Sequence, residues 1–205
     1  MSDEGPVFSD TCCLCAATDI GTALDFAMLG WAPDGGICSN CMACDEHEWR
    51  LLSCGTQQEC EECGETRRLT VDVVVFAGDD VLLIERGQQP FQGELALPGG
   101  YIDPGEDTRT AAARELAEET GLVVDPADLR LVGVYDRPGR DPRGNVASTA
   151  YTVTVPVGTV IAAGDDAAAA AWTPLPEIAA RHRLAFDHRR ILADTLGQAQ
   201  QASAA

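Results

Sequence analysis

Residues 96–122 read ALPGGYIDPGEDTRTAAARELAEETGL, and no other stretch limits the fold and the chemistry of this chain so tightly. Its first half is punctuated by Pro98, Gly99, Gly100, Pro104 and Gly105, which force tight turns and let backbone approach a neighbour closely. Its second half is a helix over 107–120. Ala111, Ala112, Ala113 and Leu116 are good helix formers. Glu106 and Asp107 lie at the positive N-terminal end, where carboxylates are favoured, and Gly121 stands where a left-handed C-terminal residue belongs. That helix places Glu115, Glu118 and Glu119 on one face at spacings of three and four. Such like-charge pairs cost roughly a few tenths of a kcal/mol each. A divalent cation reverses the sign. Mg²⁺ prefers hard oxygen ligands and usually takes one or two carboxylates together with water and substrate phosphate. Arg114, four residues before Glu118, is spaced to orient that carboxylate through a bidentate pair. The carbonyl of Gly100 is a further candidate ligand.

The overall charge sharpens the point. The chain has 205 residues and a net charge of -19, and all 14 of its basic residues are Arg. Such a surface repels nucleic acid and anionic membrane. A small anionic substrate remains open to it where a metal supplies positive charge. No apolar run approaches the ~20 residues of a membrane span. The N-terminal MSDEGPVFSD has neither the basic nor the apolar region of a secretory leader. The expected compartment is the reducing cytoplasm.

The flanking sequence predicts a mixed fold. LTVDVVVF at 69–76 reads as a strand, AGDD as a turn and VLLIER as the returning strand. DLRLVGVYDR and ASTAYTVTVPV read as two more strands, joined by the charged loop PGRDPRGN. AAAAAWTPL is ambiguous: its Ala run favours a helix, while WTPLPEI favours a short strand feeding a Pro-started helix. FDHRRILADTLGQAQ closes the chain as an amphipathic helix with Phe186, Ile191, Leu192 and Leu196 as its apolar members. Residues 200–205 are expected to fray. Short strands with a central and a terminal helix predict an α/β sandwich.

Gly100, five residues, Glu106, seven residues, then Arg114-Glu115-Leu116-Ala117-Glu118-Glu119-Thr120-Gly121-Leu122 resembles the complete Nudix box, with no constrained position departing from it. The resemblance implies an α/β/α sandwich with a mixed sheet over 67–199. It implies hydrolysis of a nucleoside diphosphate linked to another group, with Mg²⁺ or Mn²⁺. By the same resemblance Glu115 and Glu119 are the main metal ligands, Glu118 a ligand or water-activating base, and the Gly100 carbonyl a completing ligand. Arg114 holds Glu118, and Glu106 braces the loop. The ions neutralise pyrophosphate oxygens and lower the pKa of a water. In this family the base sometimes lies outside the box, which makes Asp165 and Asp166 candidates against their plainer reading as a polar turn.

Residues 132–151 and LAFDH at 184–188 resemble ADP-ribose pyrophosphatases, in the branch related to regulators of NAD metabolism. This implies that the RDPRG loop lies near the substrate and that Arg140 and Arg143 meet phosphate or ribose. Internal Arg–Asp pairing is the competing reading. Tyr135 and Tyr151 either stack on adenine or fill the core, and His188 reads as structural rather than catalytic. The expected reaction converts ADP-ribose to AMP and ribose 5-phosphate. NADH is the second substrate, and a non-catalytic ADP-ribose or NAD sensor is the reading from another class. The related regulators carry a DNA-binding winged helix after the Nudix domain. The end at Ala205 and the acidic charge set that function aside. The family is often dimeric, so a homodimer stays open.

All nine cysteines fall between Cys12 and Cys63. In a reducing compartment, clustered cysteines read as metal ligands before disulfides. The knuckles Cys12/Cys15 and Cys38/Cys41 are spaced like a zinc ribbon. Cys44, His47 or Cys54, Cys60 and Cys63 form a second possible set, with Cys41 shared between knuckles. Residues 1–66 are therefore expected to form a small module held by one or two Zn²⁺ ions, because so short a Cys-rich segment lacks the apolar mass to fold alone. Such a module is also a candidate docking element for a protein partner. NADH pyrophosphatases resemble this chain in placing a four-Cys ribbon ahead of the Nudix domain, but the SQPWPFPxS segment they carry after the box is missing here.

Overall fold

In the computed structural model the described residues are 49–52, 55–60, 66–162, 167–180 and 184–203. They fall into two units divided near residue 67. In the first, β1 (Trp49–Leu51) and β2 (Gln57–Cys60) pair antiparallel, with Trp49 opposite Cys60. The second is the larger and contains the carboxylate segment.

The second unit is organised on β3 (Thr66–Ala77), whose β-branched run favours extended backbone. It turns at Gly78, which has φ 65°, into β4 (Asp80–Arg86), the antiparallel return strand expected from the sequence. After β5 (Leu95–Ala96), β6 (Gly99–Tyr101) also lies antiparallel to β3. Next come α1 (Thr108–Thr120) and a short 3-10 turn at Pro126–Asp128. Then β7 (Arg130–Tyr135) and β8 (Val146–Thr154) pair antiparallel. β8 runs parallel to β3 over nine positions, from Arg68 opposite Val146 to Phe76 opposite Thr154.

The ambiguous Ala run is a strand, β9 (Ala167–Pro174), followed by α2 (Leu175–Ala180). Pairing with β4, from Asp80 opposite Pro174 to Ile84 opposite Ala170, overrides the helix propensity of Ala. The chain closes with α3 (His188–Ser203). Helical backbone runs through residues 200–203, which the sequence placed in a frayed tail.

Alternation along β3 divides the core. Val71, Val73 and Val75 pack with Ala111, Ala112 and Leu116 of α1 on one face of the sheet. Val74 packs with Ile178, Ile191 and Leu192 of α2 and α3 on the other. This is the α/β/α sandwich that the Nudix resemblance implies, and it fixes α1 against the sheet edge where β6 ends.

Candidate active site

The helix that carries the acids is set at both ends. Asp107 accepts hydrogen bonds from the N–H groups of Arg109 and Thr110 at 2.9 and 3.1 Å, which caps α1. Gly121 terminates it at φ 66° and donates its N–H to the Ala117 carbonyl. Glu115 and Glu119 lie on the flank of α1 between the buried Ala111 and Ala112, and they meet the Gly99–Gly100 backbone, while Glu118 is turned toward solvent.

Each carboxylate has a distinct setting. Gly99 donates its N–H to Glu119 Oε2 at 2.9 Å. The Glu115 carboxylate lies so close over Gly100 that a Cβ at that residue would overlap it. Glu118 is the most exposed of the three, with 59% of its side chain accessible. Burial pushes the Glu119 carboxyl up to about 8. Glu115 and Asp72 add to the rise, while the Gly99 N–H and Arg86 oppose it. Burial also raises Glu115, against the pull of Arg114.

Arg114 departs from the expected pairing. Its bidentate partner is Glu106, with Nε to Oε1 at 3.1 Å and Nη2 to Oε2 at 2.9 Å. Glu118 receives a single bond from Nη1 at 3.1 Å, and the same nitrogen donates to Glu115 at 2.8 Å. The reason is reach: Glu106 comes from the loop in front of the guanidinium fork, while Glu118 lies along the helix and meets only one nitrogen. Nη2 also donates to the Tyr101 carbonyl, and Asp103 N–H donates to Glu106 Oε2. Glu106 and Arg114 thereby join the loop to the helix.

The donor set fits a divalent cation. Burial raises Glu115 despite its Arg114 bond and Glu119 despite Arg86, so a further positive charge between them favours their ionised forms. Among the described residues no three acidic, His or Cys groups already converge on one point. Mg²⁺ does not require that, because water and phosphate oxygens fill most of its shell.

Behind this edge lies a polar network that the sequence reading missed. Asp72 sits in the middle of β3, 7% exposed. It accepts from Ser148 Oγ at 2.5 Å, Arg140 Nη2 at 3.4 Å and His188 Nε2 at 3.3 Å. Burial would raise this carboxyl, but His188, Arg140 and Ser148 outweigh it and hold it at about 2. His188 Nδ1 accepts the Leu97 N–H at 2.8 Å. The network thus anchors the strand that delivers Gly99 and Gly100. An acid inside an otherwise apolar strand, LTVDVVVF, was the available signal, since a buried charge must be paired.

Arg140, expected at the substrate, is committed to this network. It donates Nε and Nη2 to Asp187, the shortest bond being 2.7 Å, and its side chain is 5% exposed. Arg143 pairs with Asp141 at 2.6 Å but keeps its guanidinium at the cleft lined by Gly100 and Tyr101. Tyr135 packs with the α2–α3 cluster and its hydroxyl donates to Asp194 at 3.0 Å, away from the Glu115–Gly100 edge. Tyr151 is likewise buried, in the α1 cluster. His188 has the structural position expected. Asp165, Asp166, Cys12, Cys15, Cys38, Cys41, Cys44, His47, Cys54 and Cys63 lie outside the described residues. Cys60 is buried on β2.

The NUDIX domain family model matches residues 66–195. The chain belongs to the Nudix family. An ADP-ribose pyrophosphatase from Methanocaldococcus jannaschii is 42% identical over 126 residues, 62% of this chain and 71% of that protein. The Nudix domain of Shewanella oneidensis NrtR, solved as a complex with ADP ribose, is 28% identical with a TM-score of 0.61, covering 65% of this chain and 89% of that one. A bifunctional NMN adenylyltransferase/ADP ribose pyrophosphatase from Francisella tularensis, solved with AMP and a manganese ion, is 30% identical with a TM-score of 0.60. That match covers 64% of this chain and 42% of the other. The Nudix assignment makes this chain a pyrophosphohydrolase and its ligand a nucleotide, and Nudix hydrolases work with divalent metals. Among the described residues no helix is long and apolar enough to cross a membrane.

Proposed function

We propose that this Nudix protein hydrolyses ADP-ribose to AMP and ribose 5-phosphate with Mg²⁺ or Mn²⁺. The observation that carries the reading is the placement of Glu115 over Gly100 and of Glu119 on the Gly99 N–H, which builds a cation seat at the edge of a cleft containing arginine. The ADP-ribose pyrophosphatase named among its relatives supports the choice of substrate.

Glu115, Glu119 and the Gly100 carbonyl are the groups that would hold a divalent cation. A bound divalent ion supplies charge neutralisation on the pyrophosphate and acidifies water at neutral pH. Arg114, braced by Glu106, orients Glu115 and Glu118. In this reading Glu118, the most accessible of the acids, accepts a proton from the attacking water. Water adds to one phosphorus, the bridging P–O bond breaks, and the departing phosphate keeps the electron pair.

The test is turnover on ADP-ribose, NADH, NAD, nucleotide sugars and nucleoside triphosphates, with Mg²⁺ and then with EDTA. The expected result is an EDTA-sensitive preference for ADP-ribose, with Glu115→Gln and Glu119→Gln each lowering turnover by roughly a hundredfold or more. A preference for NADH overturns the substrate. Tight ADP-ribose binding with negligible turnover identifies a sensor instead.

A further inference from the structure

Five side chains from five segments alternate between cation and ring beside the carboxylate edge. The guanidinium of Arg68 lies 4.9 Å from the centre of the Tyr101 ring, and that of Arg143 lies 5.2 Å from the same ring. Arg143 is also 5.1 Å from the Phe186 ring, and Arg86 is 4.8 Å from it. These are cation–π distances. The row is therefore Arg68, Tyr101, Arg143, Phe186, Arg86. Its last four members line the same cleft as Gly99 and Gly100.

Three observations indicate that the row is built for a ligand. First, Phe186 has φ 53° and its neighbour Phe91 has φ 63°, with their rings edge to face at 4.9 Å. A bulky residue in the left-handed region is strained, and such strain gathers at functional sites. Here it holds the Phe186 ring between Arg86 and Arg143. Second, the Tyr101 hydroxyl is buried with no hydrogen-bond partner among the described residues. Third, Arg86 and Arg143 are close enough that Arg143, after burial, lowers the Arg86 pKa. Asp141, paired with Arg143 at 2.6 Å, and Glu119 offset part of that repulsion, and an anion in the cleft would offset more.

The chemistry of that ligand follows from what the row leaves available. Both rings already have guanidiniums over them, so neither is open for a nucleobase to stack on. Arg143 gives Nε and Nη2 to Asp141 and Arg86 gives Nε to the Pro90 carbonyl, so it is their remaining N–H groups that suit phosphate oxygens and sugar hydroxyls. The cleft holds about 50 Å³, room for a few water-sized groups. We propose that this row binds the phosphorylated, hydroxyl-rich half of the substrate, on the side of the scissile bond away from the adenosine. The identification of that half as ribose 5-phosphate rests on the ADP-ribose reading. Tyr101 and Arg86 are its specificity-determining residues.

The test is NMR titration of the full chain in EDTA with ribose 5-phosphate and, separately, AMP. The wild type is expected to bind ribose 5-phosphate with a Kd of roughly 1 mM. Arg86→Gln and Tyr101→Phe should each weaken that binding about fivefold, the value of one hydrogen bond, and leave AMP within about twofold. Tyr101→Phe removes a single oxygen and keeps the ring, so its result does not depend on refolding of the site. Absent ribose 5-phosphate binding at about 10 mM, unchanged binding in both variants, or equal weakening of AMP overturns the proposal. Binding as expected in a wild type that fails to hydrolyse ADP-ribose overturns the substrate reading and leaves the row standing.

Discussion

At the scale of single residues, Gly100 shows how little room the site leaves. A Cβ there would overlap the Glu115 carboxylate, which is the far end of a flexible side chain and can swing aside. Gly100→Ala is therefore expected to keep the fold and its thermal midpoint but to lower turnover about 10- to 100-fold, as steady-state kinetics beside a melting curve will show. Gly99 differs, because a Cβ there would overlap the backbone carbonyl of Val71, which cannot yield. Glu119 predicts a pH effect. Its carboxyl is raised from the ordinary 4.5 to about 8, first by burial, with Glu115 and Asp72 adding and Arg86 opposing. The folded, metal-free protein thus holds a proton that the unfolded chain releases above 4.5. Stability from this group is complete below pH 4.5 and is lost as pH rises toward about 8. Metal-free melting temperatures should fall across that window, and added Mg²⁺ should flatten the slope. A slope unchanged by Mg²⁺ would show that the cation does not sit at Glu119.

At the scale of elements, α1 is both a core helix and the carrier of the acids. Leu116 is fully buried against Val71, Val73 and Val75 of β3. Leu116→Ala should cost about 2–5 kcal/mol of stability, read as a lower denaturant midpoint at unchanged slope. This helix, its Asp107 start and its Gly121 stop were legible because capping and helix propensity are local. So was the β3–β4 hairpin. The Ala run of β9 was not, because its strand character comes from pairing with β4, a partner the local sequence does not contain. The same limit explains the arginines. The charge of Arg140 and Arg143 could be read from RDPRG, but not that Asp72 and Asp187, 68 and 47 residues away, would claim Arg140. Tyr101 gave no signal either, since a ring between two guanidiniums is assembled only by the tertiary fold. Phe186, read as an apolar member of the closing helix, lies before its start at His188 with φ 53°.

At the scale of the whole chain, the cysteines ahead of β3 and the Nudix unit call for separate measurements. The CxxC spacings lead to the expectation that the purified protein contains about one or two zinc ions per chain. Elemental analysis after exhaustive dialysis checks this, and a zinc-free but folded protein removes the ribbon reading. Mg²⁺ dependence of turnover is expected to be independent of that zinc. Within the Nudix unit, the acids and the glycines they press on lie in one segment, from Gly99 to Glu119, with short connections between them. The guanidinium–ring row is assembled from positions 68, 86, 101, 143 and 186. These two halves of the cleft therefore answer to different constraints. The bond-breaking half is a cassette contiguous in sequence, anchored from outside by Asp72, Ser148 and His188. The recognising half is a consensus of distant strands and loops, where single exchanges retune what is accepted. A programme to redirect this scaffold to another diphosphate would begin at the row and leave the cassette untouched.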